Sequence, residues 1–236
     1  MEEFLTAQFW FAVGQIIMID ILLGGDNAVV IALACRKLPD HQRTKGILWG
    51  TAGAIVLRVI LIAFALTLLA IPFLKLVGAI LLLWIGVKLL MPEDDSHSNI
   101  QGSDKLWAAV KTVIIADLVM SVDNVIAIAG VATSAGSQHQ MPLVIFGLLV
   151  SIPIIIWGSQ LVLKLMDRFP IIITFGAALL GFLAGEMMLT DPAVATYVGA
   201  VSEQTVKIGG VIGALLVVAL GKLLSRSRKE EKDAAA

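Results

Sequence analysis

Apolar runs of about twenty residues, separated by short polar connections, make up most of the chain. A helix needs roughly 20 mostly apolar residues to cross the hydrocarbon core of a bilayer. Seven runs meet that length, at about 11–34, 47–70, 73–91, 107–132, 142–164, 170–189 and 208–224. They are rich in Leu, Ile, Val, Ala and Gly and lack strict alternation of apolar and polar positions, which favours helices over a barrel. The pattern predicts an all-α polytopic membrane protein of seven transmembrane helices, a single transmembrane domain over 1–236. Composition agrees: 58% of the 236 residues are hydrophobic and only 15% charged, against about 45–50% and about 25% in a soluble domain.

The connections carry the orientation. Arg36, Lys37, Arg43 and Lys45 lie in the first, Lys105 in the third and Arg168 in the fifth, and Lys222, Arg226, Arg228, Lys229 and Lys232 lie at the end; the opposite set holds only Lys75 and Lys207. Positive residues stay cytoplasmic, so the N-terminus is expected outside and the C-terminus in the cytoplasm. No positive n-region or small-residue cleavage site accompanies the first run, so it is expected to be retained. The segment Pro92–Asp104 reads as a solvated loop, and the charged tail after Leu224 as frayed.

Two segments match at a constant shift. Asp20, Asp26 and Asn27 recur 97 residues later as Asp117, Asp123 and Asn124, each set in a D-x5-D-N pattern followed by small or branched apolar residues. Gly50 matches Gly147 at the same shift; Gly78-Ala79 matches Gly176-Ala177, and Lys88 matches Glu186, one residue later. Each unit holds three spans, about 8–91 and about 107–190, with the helix at about 208–224 outside both. An odd number of spans makes the second unit enter from the opposite side, which predicts an inverted-topology repeat.

The polar residues inside these runs are the candidate chemistry. Asp20, Asp26, Asp117, Asp123 and Glu186 are five carboxylates in apolar surroundings, faced by two bases, Arg58 and Lys88. A charge near a helix centre costs roughly 2.5–3.5 kcal/mol on insertion scales. The excess of negative charge points to a cation as the missing partner. Asp carboxylates and Asn carbonyls are hard oxygen ligands suited to Mg²⁺, Ca²⁺ or Mn²⁺, so Asp20, Asp26, Asn27, Asp117, Asp123 and Asn124 form the candidate metal set. Gly24-Gly25 is expected to unwind the first helix and turn Asp26 inward, with Ser121-Val122 a weaker counterpart. Arg58 and Lys88 serve either structural pairing or gating. Glu186 is either a ligand or proton carrier, or the partner of Lys88. Met18 and Met120 read as core fillers, Pro72, Pro153 and Pro170 as span ends or kinks, and Trp10, Trp49 and Trp107 as interfacial anchors. One cysteine, Cys35, excludes an internal disulfide, and a net charge of -1 offers no basic excess for nucleic acid.

At Gly24-Gly25-Asp26-Asn27-Ala28 and Ser121-Val122-Asp123-Asn124-Val125, supported by Gly86-Val87-Lys88, the sequence resembles the TerC family of integral membrane proteins, over roughly residues 8–224. That family is similar to LysE-type exporters, which also have two three-helix units. The resemblance implies manganese export in bacteria, including supply of the metal to enzymes outside the cytoplasm, and so a place in the cytoplasmic membrane. The name of the family, taken from tellurite resistance, does not make tellurite the substrate. The chain has the seven-span length of the shorter members, without a fused soluble domain.

A transporter rather than an enzyme is therefore expected: a divalent cation exporter working by alternating access, with proton exchange available to drive it. Mn²⁺ is the bound substrate ion, no organic cofactor is called for, and the partners are the divalent cation and the lipid bilayer. An intramembrane aspartyl protease, an accessory protein that moves nothing, and an exporter of Ca²⁺ or another cation are the alternatives. Leu23 stands where the protease motif G-x-G-D needs glycine.

Overall fold

The computed structural model describes residues 7–64, 71–91, 102–134, 140–199 and 201–235; the side chains at 19–24, 123–134, 140–144, 228–235 and a few further helical positions lie outside the described set. Every regular element among the described residues is a helix: α1 (Ala7–Cys35), α2 (Asp40–Ala63), α3 (Leu74–Leu90), α4 (Gly102–Ser134), α5 (Gln140–Arg168), α6 (Ile171–Leu189), α7 (Pro192–Val198) and α8 (Glu203–Ala235). By length and composition four stretches among the described residues are apolar enough to cross a membrane: Asp40–Ile62, Ile145–Arg168, Ile171–Leu189 and Glu203–Ser227.

The chain divides into two compact units, Met1–Ala70 with Leu106–Val162, and Ile71–Lys105 with Leu163–Ala236. The division runs across the two expected repeats: the first unit takes α1, α2, α4 and most of α5, and the second takes α3, α6, α7 and α8.

In the first unit α1 and α2 form a hairpin. Arg43 closes it: its guanidinium donates to the carbonyls of Arg36 at 2.9 Å and Leu38 at 3.1 Å, beside Asp40 at 3.1 Å. It thus satisfies carbonyls left over past the end of α1. α2 lies against α4 through glycines. A Cβ on Gly50 would meet Val113 at 3.0 Å, and one on Gly46 would meet Leu106 at 3.5 Å. Low numbers meet low numbers, so α2 and α4 run parallel. α5 runs parallel to α1 by the same test: the rings of Trp10 and Phe146 lie 5.9 Å apart, and a Cβ on Gly158 would lie 3.6 Å from that of Ala28.

In the second unit α6 and α8 are antiparallel and pack backbone to backbone. Gly181 faces Gly213 and Gly185 faces Gly209, so closely that an added methyl would run into the opposite carbonyl. α3 runs parallel to α8, with Gly86 against Val217 and Gly221 against Leu90. α6 is therefore antiparallel to both, and its far end meets the start of α3: Asp191, just past α6, accepts the N–H groups of Phe73 at 3.2 Å and Leu76 at 3.1 Å. In hydrocarbon, where apolar contact with lipid is as good as contact with protein, such small-residue interfaces are what lets helices associate.

Buried positions recur at the spacing of the sequence repeat. On α2, Gly50, Thr51, Ala54, Arg58 and Ile62 are buried, and so, 97 residues on, are Gly147, Leu148, Ser151, Ile155 and Ser159 of α5. On α3, Ala79, Leu82, Gly86 and Leu89 are matched 98 residues on by buried Ala177, Leu180, Ala184 and Met187 of α6. Trp10, Trp49 and Trp107 are all more than half exposed, as are Phe11, Trp84 and Leu215, the outward apolar surface that a lipid environment solvates.

Two expectations change. α1 stays helical through Gly24-Gly25 and α4 through Ser121-Val122; intrahelical hydrogen bonds on either side outweigh the glycine preference for unwinding. The tail does not fray at Leu224 but continues helical to Ala235, because Lys, Arg, Glu and Ala are good helix formers. The connection after α6 holds the short helix α7, which no apolar run announces. Pro153 lies inside α5, and Pro170 sits at the N-cap of α6.

Candidate functional site

The close, parallel approach of α2 to α4 at Gly50 and Gly53 brings Arg58, two turns further along, opposite Asp117. Arg58 is 2% exposed and Asp117 6%. Arg58 Nη2 donates to Asp117 Oδ1 at 2.5 Å and Nε donates to Ser121 Oγ at 3.2 Å, while Ser121 Oγ donates to Asp117 Oδ2 at 3.0 Å. Ser121 follows Asp117 by one helical turn, so both reach the same guanidinium. The result is a closed triangle in which each group has a partner. That matters because a buried charge stripped of its partner destabilises far more than the intact pair stabilises.

Asp26, on α1, is partly buried, and its Oδ1 accepts the backbone N–H of Asn27 at 2.9 Å. Among the described residues, the charged side chains that interact with it are Arg58 and Asp117. Asp26, Arg58 and Asp117 therefore form one electrostatic cluster within the first unit. Asn27 is 3% exposed, and neither its Oδ1 nor its Nδ2 has a hydrogen-bond partner among the described residues. Buried amides in folded proteins are almost always satisfied, so Asn27 has hydrogen-bonding capacity that none of the described residues takes up.

The side chains of Asp20, Asp123 and Asn124 lie outside the described residues; their backbones belong to α1 and α4. Among the described residues no three His, Cys, Asp or Glu side chains converge as a ready metal cluster. Of the predicted set, the structure pairs Asp117 with Arg58 and leaves Asp26, next to Asn27 in the chain, within electrostatic reach of both.

Lys88 and Glu186 belong to the second unit. Lys88 lies in the last turn of α3, its ammonium 4.7 Å from the centre of the exposed Trp84 ring. Because α3 and α6 are antiparallel, Lys88 lies by the beginning of α6 and Glu186 by the beginning of α3. The suggested Lys88–Glu186 pair does not form. Lys207 of α8 is instead a charge that interacts with Glu186.

Two residues have roles that the sequence reading did not assign to them. Ser121 is a ligand of the buried pair rather than a helix breaker; its i+4 spacing from Asp117 was the available signal. Asp191 is fully buried, and besides Phe73 and Leu76 it accepts the N–H of Ala193 at 2.7 Å. It thereby caps α7 while holding the start of α3. Burial opposes its charge, but backbone N–H groups of Ala193, Leu76, Phe73 and Lys75 together outweigh this and hold its carboxyl below the usual aspartate value. The Asp-Pro step is the N-cap signal it carries.

The family model described as integral membrane protein TerC family matches residues 5–230. The chain is 45% identical over 182 residues to the Bacillus subtilis membrane protein YjbE, covering 77% of this chain and 81% of that one. It is 28% identical to B. subtilis YceF over 75% of this chain and 70% of the relative, and 23% identical to the Escherichia coli inner membrane protein YgdQ over 68% and 73%. No solved structure matches.

Proposed function

Because the chain belongs to the TerC family of integral membrane proteins, we propose that it is a transporter that exports a divalent cation, with Mn²⁺ the expected cargo, across the bacterial cytoplasmic membrane by alternating access. The observation that carries this is Asn27. A buried amide whose two heteroatoms have no partner among the described residues, directly following a partly buried carboxylate, fits part of an oxygen site. The buried Arg58–Asp117 pair, which interacts electrostatically with Asp26, contributes to the field in which a cation would bind.

The inverted repeat and the count of seven spans form part of the same proposal. They are supported by helix direction and register. α1 with α5, and α4 with α2, are parallel pairs that the 97-residue shift exchanges, and α3 and α6 are antiparallel with matching buried positions. Such a repeat supplies two related arrangements that can interconvert around one site. Orientation follows from the basic connections, N-terminus outside and C-terminus cytoplasmic.

Asp26 would lend negative charge and Asn27 Oδ1 a neutral oxygen to a hard cation, with Asp20, Asp123 and Asn124 the expected remaining ligands. Oxygen ligands favour Mn²⁺, Mg²⁺ or Ca²⁺ over copper or zinc; Mn²⁺ among them, and the outward direction, come from the family resemblance. A carboxylate in a low-dielectric site binds either a proton or a metal, so release of the ion can be coupled to uptake of a proton. Asp117 is committed to Arg58 and Ser121 and acts as an electrostatic support more than as a primary ligand.

The test is Mn²⁺ flux in proteoliposomes containing wild-type protein, Asp26→Asn or Asn27→Ala. Flux in the wild type and its loss in both variants is the expected result. Flux that persists undiminished in both would remove this site from the mechanism, and no flux of any divalent cation in the wild type would end the transport proposal.

A further inference from the structure

Thr51 is a second buried polar side chain of the first unit that lacks a partner: it is 2% exposed, and its Oγ1 makes no hydrogen bond among the described residues. A hydroxyl inside a helix ordinarily donates to the carbonyl four residues back. In this chain Thr112, Ser151 and Ser159 do so, at 2.8, 3.2 and 2.8 Å; Thr51 does not.

The repeat indicates what packing alone requires at this place. The position 97 residues after Thr51 is Leu148, 1% exposed, and the one 97 residues after Arg58 is Ile155, 7% exposed. A buried position of this register accepts a purely apolar side chain. Thr51 and Arg58, seven residues apart and so on one face of α2, are both polar where their counterparts on α5 are apolar. A buried hydroxyl without a partner opposes folding, and among the described residues no group compensates for Thr51 Oγ1.

Depth links Thr51 to the site. Counted from the α1–α2 connection at a rise of about 1.5 Å per residue, Asn27 lies about 12 Å in and Thr51 about 16 Å in, within roughly one turn of each other on helices in contact. Two buried polar groups without partners among the described residues therefore lie within about one turn of each other in depth, on adjoining helices. We infer that the Thr51 hydroxyl is a neutral oxygen ligand of the cation bound by Asp26 and Asn27, so that α2 contributes directly to the ion's shell while α5, its counterpart in the second repeat, does not. The inference rests on the cation reading above and deepens it.

The full-length protein in detergent, titrated with MnCl₂ by calorimetry and by thermal unfolding, tests it. Thr51→Val keeps the shape and removes the hydroxyl; Thr51→Ala is a second hydroxyl-free variant, and Thr51→Ser restores the oxygen. Without metal, Thr51→Val is expected to unfold at the wild-type temperature or above, since an unsatisfied buried group is gone. Its Mn²⁺ dissociation constant is expected to rise about tenfold or more, and that of Thr51→Ser to stay within about threefold of wild type. Wild-type affinity in either hydroxyl-free variant overturns the inference and leaves the Asp26–Asn27 site standing. Unfolding of both in metal-free buffer also overturns it, by assigning the hydroxyl to structure. Wild-type protein that is folded yet binds no Mn²⁺, Mg²⁺ or Ca²⁺ defeats the cation reading itself.

Discussion

Arg58 and Asp117 lie on parallel helices 59 residues apart in sequence, and their side chains meet at 2.5 Å with almost no exposure. The pair makes a chain of mostly apolar helices sensitive to two single positions. Arg58→Met or Asp117→Leu leaves a buried charge behind, which typically costs about 3–5 kcal/mol. The double variant Arg58→Met/Asp117→Leu is expected to be more stable than either single variant. A double-mutant cycle from unfolding in detergent measures this; simple additivity would show that the pair is not coupled.

The glycine contact of α6 with α8 is the tightest in the second unit. Gly181→Ala and Gly185→Ala each place a methyl against a backbone carbonyl of α8, and neither backbone can yield without moving a whole helix. A loss of about 1–3 kcal/mol is expected, as for overpacked cores, and a larger one for Gly→Leu. Gly25→Ala is the control, since a Cβ there meets nothing within 4 Å among the described residues. With α1 helical through this position, Gly25→Ala should leave the melting temperature unchanged or raise it slightly.

Asp191 holds the first turns of two helices and a backbone that resists them. Phe73, at the N-cap of α3, has φ 63°, in the left-handed region that a bulky side chain disfavours, and its N–H is one of the groups bound by Asp191. The carboxyl of Asp191 is held below its ordinary value of 3.8. Its stabilising contribution is therefore complete above that value and fades as the pH falls below it, through the lower folded value. Asp191→Asn should lower the melting temperature at pH 6, and the gap to wild type should narrow below pH about 4. A gap independent of pH would show that charge is not what Asp191 contributes.

Lys88 and Glu186 occupy matching places in the repeat but lie at opposite ends of antiparallel helices. The effects of Lys88→Gln and Glu186→Gln on unfolding are expected to add within about 0.5 kcal/mol. Coupling well above that would require the two side chains to meet, which the direction of α3 against α6 forbids.

How much of this was legible beforehand differs by residue. The all-helical class, the apolar runs and the two D-x5-D-N segments could be read from local pattern, because a lipid-facing helix announces itself by length and the cost of each charge makes Asp26 or Arg58 conspicuous. The unwinding expected at Gly24-Gly25 came from the same kind of local preference, and the continuous helix overrode it. Asp191, and the part Ser121 plays in the buried pair, were missed because neither residue is unusual where it stands; each matters through a partner distant in sequence.

Sequence by itself therefore settled that this is an integral membrane protein of helices with acid and amide groups repeated inside them, since hydropathy and the rarity of buried charge act residue by residue. Only the tertiary structure decided that Arg58 belongs to Asp117 and Ser121, that Lys88 and Glu186 stand apart, and that Asn27 and Thr51 are left without partners among the described residues. Those outcomes depend on which helices run parallel and how closely their glycines let them approach, and such long-range packing leaves no trace in any one segment.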